Sequence, residues 1–283
     1  MEKAIKNILV PLNFSSSSKH AMQLAIAMCK RHDAALHILQ VNKENDFPYP
    51  TGKNALLIGI RLESRVAELR SIESHARQIE ETHQIRCYYH IEEGPFSKSV
   101  AEIADNFYCD LIIVQRRSAS SWFNLSFTRD VCTLINNSTC PVMSVPDKCH
   151  QSQFKSILFP VWVKRPIITK LHAALPIIEK NHSNVILFGS VKSTNDQWEL
   201  DMVNKLMCSV RELISLSTKK IKYEIEDAPR TAESVIRKAT SSNSDLIVIA
   251  AHTPTGFKSI FRQSYTQFII NHSTVPVLSV KEY

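Results

Sequence analysis

The sequence predicts an α/β chain made of two consecutive doubly wound units. Three observations carry that expectation. Short apolar runs of strand length alternate with longer stretches whose apolar residues recur three and four apart, the spacing of βαβ crossovers between parallel strands. The pattern then occurs a second time: "DLIIVQRRSASSWFNLSFTRDVCTLINNSTCPVMSV" from Asp110 aligns without a gap on "DLIVIAAHTPTGFKSIFRQSYTQFIINHSTVPVLSV" from Asp245, a constant offset of 135. The two openings also match, "KNILVPL" from Lys6 with "KSILFPV" from Lys155, at an offset of 149. Units are therefore expected over 1–147 and 153–283, joined by the short polar "PDKCHQSQF".

In the first unit, "NILVPL", "ALHILQV", "RCYYHIE", "DLIIV" and "PVMSV" read as strands. The first, second and fourth are nearly continuous in apolar residues, as strands covered on both faces tend to be. Between them, Met22, Leu24, Ile26 and Met28 mark one helix, and Val66, Leu69, Ile72, Ala76 and Ile79 another. The second unit repeats the order with "SILFPV", "NVILFGSV", "IKYEIE", "DLIVIA" and "VPVLSV".

Composition bounds the function. Apolar residues make up 44% and charged residues 22%, the balance of an ordinary globular chain. No run reaches bilayer-spanning length, and "MEKAIKNILVPL" lacks the apolar core and cleavage site of a signal peptide, so no membrane association and a cytoplasmic location are expected. Seven scattered cysteines form no C-x-x-C pair and no metal-ligand cluster, which points to reduced, mostly buried thiols and no bound metal. The net charge of +7 is spread among acids, and no nucleic-acid partner is expected. The basic residues of "KHAMQLAIAMCKRH" read as the solvated flanks of an amphipathic helix.

A first strand ending in Val-Pro or Phe-Pro, the serine-rich "NFSSSSKHAMQLA", the "SVAEIA" stretch after Gly94 and before Asp110, and the terminal "STCPVMSV" together resemble the universal stress protein family. Both halves match, so the resemblance is to a tandem member. It implies two Rossmann-like domains, each with a five-stranded parallel sheet in the order 3-2-1-4-5. It also implies that the domains pair through their last strands as an intramolecular pseudo-dimer, with a homodimer of tandem chains open.

Nucleotide-binding members of that family carry G-x2-G-x9-G-[ST] after the fourth strand. Glycines there let backbone N–H groups approach phosphates at a helix N-terminus. In the second half the three glycine positions fall on Ala250, Thr253 and Gln263, with the hydroxyl kept at Ser264. Gly256 lies inside the nine-residue spacer of "HTPTGFKSIFRQS". In the first half the positions are Gln115, Ser118 and Thr128, followed by Arg129. The family's aspartate beyond the first strand is replaced by Asn13 and Trp162; Asn13 retains hydrogen-bonding capacity without charge, and Trp162 cannot accept. Val41 and Val191 complete the positions at which the resemblance places a nucleotide.

Other residues invite sharper chemistry. His252 and Ser264 suggest a nucleophile and base, but no G-x-S-x-G elbow surrounds the serine, and a helix N-cap is the better reading. Arg116, Arg117 and Arg129 suggest an anion pocket, against solvated surface charges. Ser15 to Ser18 read as a helix cap, against an anion site or phosphorylation; Trp162 and Trp122 read as bulk closing the vacated clefts, against Trp162 stacking on a flat ligand; and "ENDFPYPTGKNALL" from Glu44 reads as a lid, a partner contact or a surface excursion. The expectation is a non-catalytic stress-response or regulatory protein, with no cofactor, acting on an unidentified protein or small-molecule partner. The alternatives are a switch that binds ATP or AMP through Asn13, Val41, Ser264 and the arginines, and an enzyme acting on adenylated or phosphorylated compounds.

Overall fold

The computed structural model describes residues 4–12, 19–42, 55–116, 124–162, 167–191, 196–215, 218, 220–227, 231–251 and 264–281; for 55–62 and 124–129 it describes the backbone alone. The first half runs β1 (Asn7–Leu12), α1 (Lys19–His32), β2 (Ala35–Asn42), α2 (Ala55–His83), β3 (Cys87–Glu93), α3 (Phe96–Asn106), β4 (Leu111–Gln115), α4 (Asn124–Asn137) and β5 (Val142–Val145). The second runs β6 (Ser156–Val161), α5 (Ile168–Asn181), β7 (Asn184–Val191), α6 (Gln197–Ile214), β8 (Ile221–Asp227), α7 (Ala232–Ser241), β9 (Leu246–Ala251), α8 (Tyr265–His272) and β10 (Val277–Lys281).

The strands form one ten-stranded sheet in the order β3-β2-β1-β4-β5-β10-β9-β6-β7-β8. Each half is parallel and ordered 3-2-1-4-5, and the halves meet where β5 pairs antiparallel with β10. At the centre of that ladder Met143 pairs with Leu278, its own equivalent in the repeat. The contact is therefore isologous, one patch meeting its own copy about an approximate dyad.

Alternation along the strands sorts the core into two layers. Ile8, Val10, Leu36, Ile38, Leu111 and Ile113 face α1 and α2, and the same layer continues under α5 and α6. Leu9, Leu39, Ile112 and Val114 face α3 and α4, continuous with the layer under α7 and α8. Asp110 and Asp245 have the same task at the foot of each half: Asp110 Oδ2 accepts from the N–H groups of Lys6 (2.8 Å) and Asn7 (3.2 Å), and Asp245 Oδ2 from those of Lys155 (2.8 Å) and Ser156 (2.9 Å). The repeated aspartate thus clamps the start of the fourth strand to the start of the first.

Helices end without glycine. Asp33 and His182 follow α1 and α5 at φ 55° and 50°, and Tyr108 and Asn243 follow α3 and α7 at 50° and 47°. A left-handed residue at these points frees the chain to turn into the next strand.

Three expectations need correction. Val66 and Leu69 are 44% and 46% exposed; only the later part of α2, with Ile72, Ala76 and Ile79, is buried. His32, read as a solvated flank of α1, is buried, and its pKa falls to about 4 through desolvation and the nearby Arg31 and Lys180. Arg116, read as an anion ligand or surface charge, is neither, as described below. The cysteines follow the expectation among the described residues: five of seven are buried, and burial pushes the Cys29, Cys87 and Cys109 thiols up to about 12.

Candidate ligand site at the strand ends

In open α/β sheets ligands sit outside the carboxyl ends of the strands, where the order reverses. Here that point lies between β1 and β4 in one half and between β6 and β9 in the other.

In the first half the last residue of β4, Gln115, is 6% exposed and spans the crevice. Its Oε1 accepts from the N–H of Ala21 in the first turn of α1 at 2.8 Å, and its Nε2 donates to the Val145 carbonyl at 3.1 Å and to Asp147 Oδ1 at 3.4 Å. A helix's first turn has N–H groups with no partner in the helix. Gln115 supplies one of them with a side-chain carbonyl from within the chain.

Arg116 turns the other way. Its backbone N–H bonds the Val145 carbonyl at 2.6 Å, and its guanidinium reaches across the dyad to the end of α8, donating to the carbonyls of Asn271 and of Ser273, the latter at 2.7 Å. Burial lowers its pKa, and the Asp147 carboxylate opposes that effect. It caps a helix C-terminus, where a cation is favoured, and is committed to the contact between the halves. Its equivalent in the second half is Ala251, so the tie exists on one side of the dyad only.

In the second half the described residues at the crevice are bulky. Trp162, just beyond β6, is 7% exposed and stands edge-on to Tyr265, the first residue of α8, with centroids 4.7 Å apart. The space bounded by Pro160, Trp162, Lys170, Ile249, Ala250 and Tyr265 is about 10 Å³. Lys170 lies in the first turn of α5, 4% exposed, with Nζ donating to the Pro160 carbonyl and lying 4.4 Å from the centre of the Phe159 ring. Sequence reasoning missed Lys170; its equivalent in the first half is Ala21, and a basic residue on the buried stripe of a helix was the available signal.

Of the other positions, Ser264 is the N-cap of α8, its Oγ accepting from the Gln267 N–H at 3.1 Å, as expected of a cap. Val41 packs on the α3 side of the sheet, while Val191 lies in the layer under α5 and α6. The equivalent of Val41 is Ser190, so Val191 is one residue out of step and faces the opposite way. Ala250 is buried at the end of β9. Thr128 and Arg129 lie in α4, where the backbone alone is described. Asn13, Ser15 to Ser18, Arg117, Ser118, Trp122, His252, Thr253, Gly256, Gln263 and most of the Glu44 to Leu57 segment lie outside the described residues. Among the described residues no group of three or more His, Cys, Asp or Glu is placed to hold a metal, and no helix is long and apolar enough to cross a membrane.

Residues 4–146 match the model of the universal stress protein family. The chain belongs to the universal stress protein family. A universal stress protein of Synechocystis is 28% identical over 141 residues, covering 50% of this chain and 85% of that relative. Over the whole length, the chain is similar to the crystal structure of a universal stress protein from Archaeoglobus fulgidus, with a TM-score of 0.69 and 16% identity, covering 98% of this chain and 96% of that one. A functionally unknown protein from Pseudomonas aeruginosa gives a TM-score of 0.64 at 16% identity, covering 98% and 93%. At such identities these two establish the likeness of fold alone. Membership of the family makes the strand-end crevices the place to ask what this universal stress protein binds.

Proposed function

We propose that this chain is a non-catalytic, regulatory universal stress protein whose two strand-end crevices do not take ATP in the manner of glycine-loop nucleotide sites. One observation carries the reading: among the described residues beside β6 and β9, the pocket under Trp162 and Tyr265 is about 10 Å³. That is room for about one water, against the hundreds of Å³ of an ordinary small-molecule pocket. Gln115 supports the same reading in the first half, since its side chain stands in the crevice and is held there by the Ala21 N–H, the Val145 carbonyl and Asp147. The domain units of this reading are 1–147 and 153–283, its cofactor set is empty, and its setting is the cytoplasm. It acts through a protein or small-molecule partner.

A second reading is favoured by Lys170, an ammonium buried beside the second crevice. With the tryptophan swung aside, that cation would face an anion, and the chain would be a switch responding to ATP or AMP. Isothermal titration calorimetry of the full chain with ATP, ADP and AMP separates the two. No heat of binding up to millimolar nucleotide is expected; micromolar binding of any of the three refutes the first reading and selects the second.

A further inference from the structure

The approximate dyad through the β5–β10 ladder gives the face that carries α1 and α5 two equivalent clefts. One lies between α1 and the feet of β6 and β9, the other between α5 and the feet of β1 and β4. The first is filled by the connector. Cys149 and Phe154 are 4% and 0% exposed within it, Arg31 donates to the Ser152 carbonyl at 2.8 Å, Gln151 Nε2 donates to Asp245 Oδ1 at 3.0 Å, and His150 stands edge-on to His20.

Among the described residues no connector lies in the second cleft, and its side chains are smaller at two equivalent places. Ile5 stands where the filled cleft has Phe154, and Ala173 where it has Leu24. What results is a cavity of about 190 Å³ walled by Ile5, Leu111, Cys140, Ala173, Pro176 and Val280. The two threonine hydroxyls and the imidazole at its rim are those of Thr139, Thr169 and His172. Asp110 also reaches the rim, with Oδ2 already accepting from the N–H groups of Lys6 and Asn7, as does Lys281. Pro176 lies inside α5. Having no N–H, it cannot donate to the carbonyl of His172, four residues earlier.

We propose that this cavity binds a small uncharged aromatic molecule bearing one hydrogen-bond donor, of the phenol or indole class. Volume sets the size: an apolar cavity of ~150 Å³ accepts benzene, so this one takes a substituted ring or two fused rings. The apolar wall excludes a charged body, which would lose its water without compensation. The threonine hydroxyls and the imidazole in the lining select one that can donate.

The test uses the full chain with indole and p-cresol as probes, followed by ligand-observed NMR and by thermal shift. Saturable binding and a raised Tm are expected for the wild type. The double variant Ile5→Phe/Ala173→Leu copies the filled cleft into the empty one and should weaken binding at least tenfold. Thr169→Trp, on the exposed first turn of α5 at the rim, should do the same without touching the core, which keeps the test decisive if the double variant does not fold. Failure of both probes to saturate, or equal binding by wild type and Thr169→Trp, overturns the proposal. So does a wild-type dimer by size-exclusion chromatography that Thr169→Trp dissociates, which would assign the cleft to a second copy of the chain. None of these outcomes depends on nucleotide binding at the strand ends.

Discussion

Arg116→Ala probes the contact between the halves at a buried cationic tie. The guanidinium is 9% exposed and gives two hydrogen bonds to carbonyls at the end of α8. Hydrogen bonds involving a charged group contribute about 1.5–3 kcal/mol each, and a cation at a helix C-terminus adds ~0.3–1 kcal/mol. Water reaches part of the vacated site, so the net loss is expected near the bottom of that sum, about 3 kcal/mol. In a chain of this size that lowers Tm by ~6–10 °C. Lysine can make one of the two bonds but not both in the same plane, so Arg116→Lys should lose about half as much. The control is Arg77→Ala: Arg77 pairs with Glu73 on the surface of α2 at 2.7 Å and should cost under ~0.5 kcal/mol. Urea and thermal unfolding followed by far-ultraviolet circular dichroism measure all three. If Arg116→Ala unfolds within ~0.5 kcal/mol of wild type, the helix-capping account of Arg116 is wrong.

Acid should weaken the fold in a defined window. Desolvation by burial, with Arg31 and Lys180 nearby, holds His32 near pKa 4, and desolvation with His90 3.0 Å away does the same to His37, which also meets Asn7, Tyr88 and Phe107. Both lie below the ~6.5 of an unfolded histidine, so the unfolded chain binds more protons between the two values. Stability is full above pH ~6.5 and falls as pH drops towards 4, by on the order of 3 kcal/mol for each histidine; His37→Gln should flatten the urea midpoint's pH profile, and an unchanged slope would count against the assignment. Tyr108 is 84% exposed at φ 50°, and Tyr108→Gly should raise stability by ~1 kcal/mol by removing left-handed strain; a fall in Tm would show that its side chain matters more than its backbone. Gly189 in β7 lets α6 lie close, since an added Cβ would come within 2.6 Å of Val203 Cγ1 and 2.7 Å of Met207 Cε. Gly189→Ala should therefore cost ~1–3 kcal/mol, and a neutral thermal melt would mean that α6 can shift.

The scaffold was legible because its signals are local and repeated. Ten apolar runs became ten strands, and the repeat offsets fixed which residues are equivalent. The site was less so, for a steric reason. Alignment with a glycine motif names the side chains that replace glycine, but not the direction in which each turns. Gln115 and Arg116 are neighbours, yet one spans the crevice of its own half and the other reaches helix α8 of the opposite half. Arg116 follows directly on a buried strand and has Ala251 as its equivalent, which marked it as more than a surface charge. Val66 and Leu69 failed for a different reason: helical spacing predicts a face, not how far along the helix a sheet remains beneath it.

Covalent linkage explains why the two seams differ. In a dimer of separate identical chains, the dyad makes both clefts beside the β5–β10 ladder the same. In this chain the connector between the halves passes through one of them. Cys149 and Phe154 fill that side, and the other holds a cavity of about 190 Å³. The residues found there, Ile5 and Ala173, are smaller than Phe154 and Leu24, so the chain has widened the unfilled cleft. Open apolar space of this size costs stability, at ~24 cal/mol per Å³ in cavity-forming variants. Filling it with Ile5→Phe/Ala173→Leu is thus expected to raise Tm as well as to abolish probe binding. A double variant that folds but melts lower than wild type would mean that the wall cannot accept the larger side chains, and that the two clefts differ in backbone as well as in side-chain size.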